Sequence, residues 1–407
     1  MAKVIIPPLF SIRGKLNIGQ SMTLVLADAI IRHLKQKGEN VLFHSMAYNS
    51  QGIPLEKVLN EEGFSQIDES LCVNKANSLI SQIEEDKKRL NLLGGDYTYL
   101  DHSPEMRKLS QKMFVELSSK GYVFLSQKEW YLDSPKILRD NSFKSSLCSL
   151  NFQPVSFLSQ LEQMANDISM PLKISKFRKF ATPIPSDLEL SLDPLWDLTT
   201  QHLSLPNSPP SIQICGRNVA NRYVFYSLLT NFAMNESFPF SNIIVHNILN
   251  DQNGKRMSSS NANLLNLNEI PDRYHGDAIR YSLLRAITFE KETANFSFDF
   301  LDEGQSAVYR IGNLRKFFLK HNVSFQDLPV DDSALKYYLN KMDQFNLKGG
   351  FDISQDVLQR LSKKIKQEHD AHVLSSFKEK AIQYKTGVFM AYPFMPEICS
   401  VSIDNLG

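Results

Sequence analysis

NGKRMSSS, residues 253–260, joins a glycine turn to two adjacent cations, a methionine and three serines. Lys255 and Arg256 supply positive charge, and serine hydroxyls and loop amides donate hydrogen bonds to anionic oxygens. This composition is suited to a phosphate-binding loop. It also fits a polar surface loop rich in serine and asparagine, so the neighbouring segments must distinguish the two interpretations.

An apolar run leads directly into this loop. Residues 243–249 read IIVHNIL, which predicts a buried strand, and residues 276–287 beyond the loop predict a helix. In open α/β sheets, ligands bind beyond the carboxyl ends of the strands. A strand that leads into a cationic loop therefore favours the phosphate-binding interpretation.

The amino-terminal part of the chain has the pattern of a strand, a glycine loop, a helix and a second strand. KVIIPPLF at 3–10 and NVLFHSM at 40–46 predict the strands. Apolar residues at helical spacing over 20–37, followed by Gly38, predict the helix. A helix start beside a glycine, here Gly19, is a ready anion site, although many α/β proteins begin in this way.

The remaining segments predict a mixed chain that becomes helical toward its end. Ser103 and Pro104 predict the start of a helix over 104–120. We expect no regular structure over 141–165, which is polar, or over 186–211, which is rich in proline. Strands are also predicted at 122–132 and 212–215, and helices at 55–62, 74–92, 301–320, 332–344, 354–368 and 371–391.

Composition narrows the class of protein. The chain has 407 residues, a net charge of +1 and 42% hydrophobic residues, which is typical of a globular protein of two or three domains without a strong overall field. Its cysteines, Cys72, Cys148, Cys215 and Cys399, are far apart, which argues against a disulfide framework and a zinc knuckle. The sequence shows neither a membrane-spanning run nor a signal peptide core, so we expect a cytoplasmic protein with no membrane partner.

Further landmarks follow one another along the chain. They are GKLNIGQ at 14–20, GIPLE at 52–56, GY and EWY within 121–131, FATPIP at 180–185, GKRMSSS at 254–260, DAIRYSLLR at 277–285, NFS at 295–297 and AYPFMP at 391–396. In this order they resemble class I aminoacyl-tRNA synthetases, most closely the methionyl type, with the valyl and leucyl types also similar. GKLNIGQ stands in the place of the HIGH signature, and GKRMSSS in the place of the KMSKS signature.

The resemblance implies an α/β fold. Its nucleotide-binding domain would be Rossmann-like (HUP-type), with a parallel sheet, split by a short insertion and followed by an α-helical C-terminal domain. The implied divisions are 1–100 and 166–250 for the two halves of the Rossmann-like domain, 101–165 for the insertion, 251–300 for the KMSKS-like loop and stem-contact region, and 301–407 for a reduced, anticodon-binding-like helical domain.

The resemblance also implies a chemistry. Family members use ATP with Mg²⁺ to form an aminoacyl adenylate, so ATP, an amino acid or related carboxylic acid, and tRNA or another acyl acceptor are the implied partners. Protein groups would act by positioning and charge stabilisation. The implied catalytic positions are Asn17, Gln20, Lys255, Arg256, Ser258 and Ser260; those for nucleotide binding are Gly19, Gly216, Asn218 and Met257; those for the acid are Leu9, Asn49 and Tyr223, with no metal ligand.

Several signature residues differ from those of the family. Asn17 and Gln20 replace its two histidines, and Ser259 replaces the second lysine of KMSKS. An amide can donate a hydrogen bond but does not carry the positive charge of an imidazolium. Loss of one preorganised donor to a transition-state oxyanion costs about 3 kcal/mol, or roughly 10²–10³ in rate.

The acid pocket differs as well. Asn49 aligns with the carboxylate that grips the substrate ammonium, Asn218 with a family aspartate, and Tyr223 with the pocket histidine of the methionyl type. These changes argue against methionine as the substrate. They leave open a catalytically inactive paralogue that acts as a binding or regulatory module, and an unrelated α/β nucleotide-binding protein.

The helical tail leaves another choice open. It is shorter than the anticodon-binding domain of the family. Lys378, Lys380 and Lys385 lie on the helix predicted over 371–391. They fit either a solvated helix face or an RNA-binding patch.

Overall fold

The fold is that of a computed structural model, which describes residues 3–6, 9–11, 15–49, 53–139, 141–178, 180–204, 210–258, 261, 263–325, 328–370 and 377–403. The chain divides into two units. The first comprises Met1–Lys15, Glu39–Glu85 and Gly94–His246, and the second comprises Leu16–Gly38, Asp86–Leu93 and Asn247–Gly407.

The strands, in chain order, are β1 (Lys3–Ile6), β2 (Leu9–Ser11), β3 (Val41–Asn49), β4 (Tyr97–Leu100), β5 (Val123–Ser126), β6 (Glu129–Leu132), β7 (Asn151–Gln153), β8 (Leu172–Lys173), β9 (Ser175–Lys176), β10 (Pro183–Ile184), β11 (Asp187–Leu192), β12 (Pro210–Gly216), β13 (Asn242–His246), β14 (Ile248–Asn250) and β15 (Thr293–Asn295). The helices are α1 (Ile18–Gln36), α2 (Ile53–Glu61), α3 (Glu69–Arg89), α4 (Pro104–Ser119), α5 (Ser134–Arg139), α6 (Asn141–Leu147), α7 (Ser156–Asp167), α8 (Pro194–Thr199), α9 (Arg217–Asn235), α10 (Gly276–Arg285), α11 (Asp299–Lys320), α12 (Asp332–Asp343), α13 (Leu347–Asp370), α14 (Phe377–Ala391) and α15 (Pro396–Ile403). None of the helices described here is long and apolar enough to cross a membrane.

A parallel sheet forms the centre of the first unit. Its strands follow the order β4, β3, β1, β12, β13, β7, and β2 also pairs with β3. Ile212 and Ile214 in β12, and Ile243 and Val245 in β13, are completely buried. Continuous apolar runs of this kind are typical of parallel strands that are covered on both faces. The predicted α/β fold with a parallel sheet is confirmed.

Residues 141–165 are regular, contrary to the prediction. They contain α6, β7 and α7, and β7 joins the sheet in parallel with β13. Phe157, Leu161 and Ala165 lie four residues apart on α7 and are at most 5% exposed. The prediction was wrong because it gave the polar composition more weight than this apolar spacing.

Residues 186–211 are also regular where they are described. They contain β11, α8 and the start of β12. Asp193 Oδ1 accepts a hydrogen bond from the Leu195 amide (2.8 Å), and Pro194 occupies the first turn of α8. The prediction of irregular structure was wrong because proline is compatible with a helix start.

The second unit contains α1 and the helical part of the chain. Residues 18–34 of α1 are buried almost throughout, and Gly38 follows the helix with φ +76°. That left-handed conformation favours glycine and confirms the predicted helix end. The helices predicted over 301–320, 332–344 and 354–368 are present as α11, α12 and α13, and α14 accounts for the described part of 371–391.

A buried arginine connects four segments of the second unit. Arg280 on α10 forms an ion pair with Asp28 on α1 (2.7 Å). Its guanidinium also donates to the carbonyls of Leu90 (3.2 Å), Pro393 (2.8 Å) and Phe394 (2.8 Å). Removing one partner of a buried ion pair typically costs about 3–5 kcal/mol, so loss of Arg280 alone should destabilise the unit by about this amount.

Of the three lysines on the last predicted helix, Lys378, Lys380 and Lys385, two bind other groups of the protein. Lys380 is 1% exposed and forms an ion pair with Glu368 (2.7 Å). Lys385 donates to the carbonyls of Phe325 (2.8 Å) and Leu328 (2.9 Å). Only Lys378 of the three is exposed, which removes most of the charge of an RNA-binding patch on α14.

Candidate nucleotide-binding site

The first turn of α1 is closed by its own side chains. Asn17 Oδ1 accepts a hydrogen bond from the Gln20 amide (3.0 Å), and Gln20 Oε1 accepts one from the Asn17 amide (3.1 Å). Asn17 Nδ2 also donates to Gln20 Oε1 (2.8 Å). This reciprocal arrangement is a capping box. It is formed by the two residues that stand in place of the signature histidines.

Backbone hydrogen bonds join this helix start to the segment that follows the cationic loop. The Ile18 amide donates to the Leu265 carbonyl (3.0 Å), and the Leu267 amide donates to the Leu16 carbonyl (2.7 Å). These bonds pair the two segments as a short antiparallel bridge. The two signature-like stretches therefore lie in the same unit and are connected through the main chain.

A carboxylate organises the cationic loop. Asp251 Oδ1 accepts hydrogen bonds from the amides of Asn253 and Lys255, each 3.0 Å long. Gly254, between these two residues, has φ +80°, a conformation that favours glycine. The side chains of Lys255 and Arg256 are exposed, so both cations can meet an anionic ligand.

Asparagine side chains close the loop on its far side. Asn263 Nδ2 donates to Asp251 Oδ2 (2.9 Å), and Asn263 Oδ1 accepts from the Ser258 amide (3.1 Å). Asn261 Nδ2 donates to the Arg256 carbonyl (3.0 Å). The hydrogen bond from Asn263, together with those from the loop amides, lowers the pKa of Asp251. This carboxylate is therefore ionised at neutral pH.

Asp251, Asn261 and Asn263 are not among the site residues predicted from the sequence. A weak signal exists, because an aspartate shortly before Asn-Gly is typical of a turn in which the carboxylate binds backbone amides. Of the predicted loop residues, Met257 and Ser258 are half-buried. Ser260 lies outside the described residues.

Gly216 and Asn218 lie at the start of α9 in the first unit. Gly216 is the N-cap residue and provides no side-chain cap for the helix. A Cβ added at this position would lie 2.8 Å from Asn218 Oδ1 and 3.1 Å from His246 Cε1, so a larger residue would require these side chains to shift. Asn218 is exposed.

Tyr223 is enclosed by the first unit. Its side chain is 2% exposed, and its hydroxyl accepts a hydrogen bond from Gln201 and donates to Gln213 Oε1 (3.4 Å). Burial raises the pKa of Tyr223 strongly, so the phenol is neutral. The other two predicted acid-binding residues, Leu9 and Asn49, lie on the paired strands β2 and β3, and their side chains are outside the described part of the structure.

Two family models match parts of the chain. The model for class I tRNA synthetases of type M matches residues 3–149, and the model for types I, L, M and V matches residues 198–295. Similar curated proteins include the valine–tRNA ligase of Prochlorococcus marinus subsp. pastoris, 23% identical over 285 residues, and the leucine–tRNA ligase of Fusobacterium nucleatum subsp. nucleatum, 26% identical over 156 residues. The alignments cover 60% and 37% of this chain, and the chain spans only 31% and 17% of these two relatives.

A solved structure is similar over almost the whole chain. It is the methionyl-tRNA synthetase of Mycobacterium tuberculosis in complex with methionyl-adenylate, with a TM-score of 0.77 at 13% identity, covering 99% of this chain and 94% of that chain. At this level of identity the likeness shows the fold. Because the family models, the order of the landmarks and the fold agree, the chain belongs to the class I aminoacyl-tRNA synthetase family.

Proposed function

We propose that this chain binds ATP at the start of α1 and at the loop that begins at Asp251, and that it activates an amino acid or a related carboxylic acid as an acyl adenylate. The observation that carries the proposal is the exposure of Lys255 and Arg256 on a loop whose backbone is bound by Asp251. Two adjacent cations on an ordered loop are suited to phosphate oxygens. Family membership supports the same chemistry.

In the proposed reaction, a carboxylate oxygen of the acid attacks the α-phosphorus of ATP. The bond from that phosphorus to the oxygen bridging to the β-phosphate breaks, and pyrophosphate leaves with this oxygen. Lys255 and Arg256 stabilise the negative charge on the phosphate oxygens during the displacement. Gly19 has no side chain, so the backbone of the first turn of α1 is open to close approach by a phosphate.

The proposal assigns Mg²⁺ to the nucleotide phosphates, whose charge it would partly neutralise. Within the described part of the chain, no group of three His, Cys, Asp or Glu side chains is placed to hold a metal ion. The acyl acceptor is proposed to be tRNA or another amine, thiol or hydroxyl. A cytoplasmic location is part of the same proposal.

A second candidate function is a catalytically inactive paralogue that binds a ligand or a partner without adenylation. The capping box of Asn17 and Gln20 favours it, because three of the four polar atoms of these side chains already bind within the helix start. The hydroxyl of Tyr223 is likewise bonded inside the protein. Both observations reduce the number of side-chain groups that remain for a substrate.

ATP–pyrophosphate exchange across the twenty amino acids, combined with calorimetry of ATP binding, tests the proposal. We expect exchange with at least one acid. The double variant Lys255→Ala, Arg256→Ala should lower ATP affinity by roughly tenfold or more, because it removes two charge-assisted contacts. The charge-matched control is Lys378→Ala, Arg360→Ala, in which both cations are exposed and lie on α14 and α13.

The outcomes separate the two functions. Exchange with any acid would rule out the inactive paralogue. ATP binding without exchange would support the inactive paralogue with a working nucleotide site. If the protein neither binds ATP nor catalyses exchange, the proposed function is refuted. If both double variants lose ATP affinity equally, the assignment of Lys255 and Arg256 to phosphate binding is refuted.

A further inference from the structure

The contacts of Asp251 and Asn263 form a bridge across the cationic loop. Each of the four polar side-chain atoms involved has a defined role. Asp251 Oδ1 accepts from the amides of Asn253 and Lys255, while Asp251 Oδ2 accepts from Asn263 Nδ2. The remaining atom, Asn263 Oδ1, accepts from the Ser258 amide. The backbone amides of Asn253, Lys255 and Ser258 lie before, at and after the pair of cations. All three therefore donate to this one pair of side chains.

We propose that Asp251 and Asn263 are positioning residues that form a latch, and that this latch fixes the backbone around Lys255 and Arg256 before any nucleotide binds. Class I signatures rely on a cationic loop, and here one of its cations is replaced by Ser259. A loop that is already ordered loses less conformational entropy when it binds a phosphate. The latch thus supports binding by a loop with fewer charges.

The chemistry of the pair makes the inference testable by exchange of the two residues. Asn263 must direct its Nδ2 to a carboxylate and its Oδ1 to a backbone amide. In Asp251→Asn alone, the NH₂ group introduced at position 251 faces Asn263 Nδ2, so two donors face each other without an acceptor. In Asn263→Asp alone, two carboxylates face each other and repel. In the combined variant, the asparagine introduced at position 251 keeps an acceptor for the loop amides. Its amide group donates to the carboxylate introduced at position 263, and that carboxylate accepts from the Ser258 amide. The combined variant therefore restores every hydrogen bond and the net charge.

Limited trypsin digestion of the intact, nucleotide-free protein measures the latch directly, because trypsin cleaves after Lys255 and Arg256. Cleavage of a folded loop follows the population of its open form when opening is fast. We expect each single substitution to raise the cleavage rate at these two bonds by roughly tenfold or more, since a hydrogen bond to a charged group is lost. The combined variant should return the rate to that of the natural sequence.

Asp331→Asn is the matched control. Asp331 also accepts hydrogen bonds from two backbone amides, those of Ser333 and Ala334, but it lies before α12. This substitution should leave cleavage after Lys255 and Arg256 unchanged. Unchanged cleavage in Asp251→Asn and Asn263→Asp would overturn the latch. Faster cleavage in both that is not reversed in the combined variant would also overturn it.

A second measurement connects the latch to the nucleotide, and this part rests on the proposed function. Calorimetry of ATP should show weaker binding in each single variant and recovery in the combined variant. If the digestion results hold and no variant binds ATP, the latch stands and the proposed function fails. If ATP affinity is the same in all variants, the positioning role fails even though the chain binds ATP.

Discussion

Arg280 and Asp277 lie in the stretch DAIRYSLLR, within the part of the chain that a class I family model matches, and both are buried in the second unit. Arg280 uses its guanidinium for Asp28 and for three backbone carbonyls. Asp277 Oδ2 accepts a hydrogen bond from the Ile398 amide (2.7 Å), and burial raises the pKa of this carboxyl. Arg280 therefore stabilises the unit, whereas Asn17 and Gln20, which the resemblance places at signature positions, lie at the candidate site.

Replacement of Arg280 tests this division of roles. Arg280→Met should lower the free energy of unfolding by about 3–5 kcal/mol, because buried Asp28 and three backbone carbonyls would lose a charged partner. Arg285→Met, on the same helix, removes a half-exposed arginine that pairs with Glu303 (3.3 Å) and should change it by less than about 1 kcal/mol. Urea unfolding of both variants measures the difference, and equal losses would contradict the role of Arg280.

At the scale of an element, α1 shows how a capping box affects the start of a helix. The side-chain oxygens of Asn17 and Gln20 accept hydrogen bonds from backbone N–H groups at the helix start. In an uncapped helix, such N–H groups would bind water or a ligand. A helix start that is capped by its own residues is more stable but offers fewer donors to an anion. The same residues thus bear on both stability and ligand binding.

The contribution of this cap can be measured with two substitutions. Asn17→Ala should lower the free energy of unfolding by about 1 kcal/mol, because the cap is lost. Asn17→Ser should have a much smaller effect, since serine is also a favoured N-cap residue. Thermal or urea unfolding gives both values. A full loss in the serine variant would show that the amide is required for a reason other than capping.

The cationic loop should respond to acid in a defined direction. Hydrogen bonds from Asn263 and from the loop amides lower the pKa of Asp251 in the folded protein. The stabilisation of the loop is therefore fully present above the unfolded pKa of about 3.9 and is lost as the pH falls through the lower folded value. Hydrogen exchange of the Lys255 amide, corrected for its intrinsic pH dependence, should show constant protection from neutral pH to about 5 and a loss below about 4. A loss already between pH 7 and 5 would contradict this assignment, and Asp251→Asn should show no such transition.

At the scale of the whole molecule, the sequence predicts the elements whose apolar pattern is strong. Residues 243–249, predicted as one strand, instead form β13 and β14, which pair with different strands. The spacing of apolar residues in α1 and its end at Gly38 were predicted correctly. The regular structure within 141–165 and 186–211 was missed, because polar residues and prolines concealed short apolar faces. The contact between Asp251 and Asn263 was missed for another reason. Hydrogen bonds between side chains depend on the three-dimensional course of the loop, and they leave no periodic pattern in the sequence from which they could be predicted.

The cluster around Arg280 has a consequence for the order in which the protein is completed on the ribosome. Asp28 emerges first, Leu90 somewhat later, and Phe394 much later than both. At about 5–20 residues per second, translation between the first and the last of these takes on the order of tens of seconds. The first unit, whose last residue is His246, has all its residues well before that time. Until Arg280 has been made, Asp28 has only Arg32 of its two arginine partners within reach along the chain. We therefore expect α1 to need protection from solvent until Arg280 and the residues around Phe394 have been made.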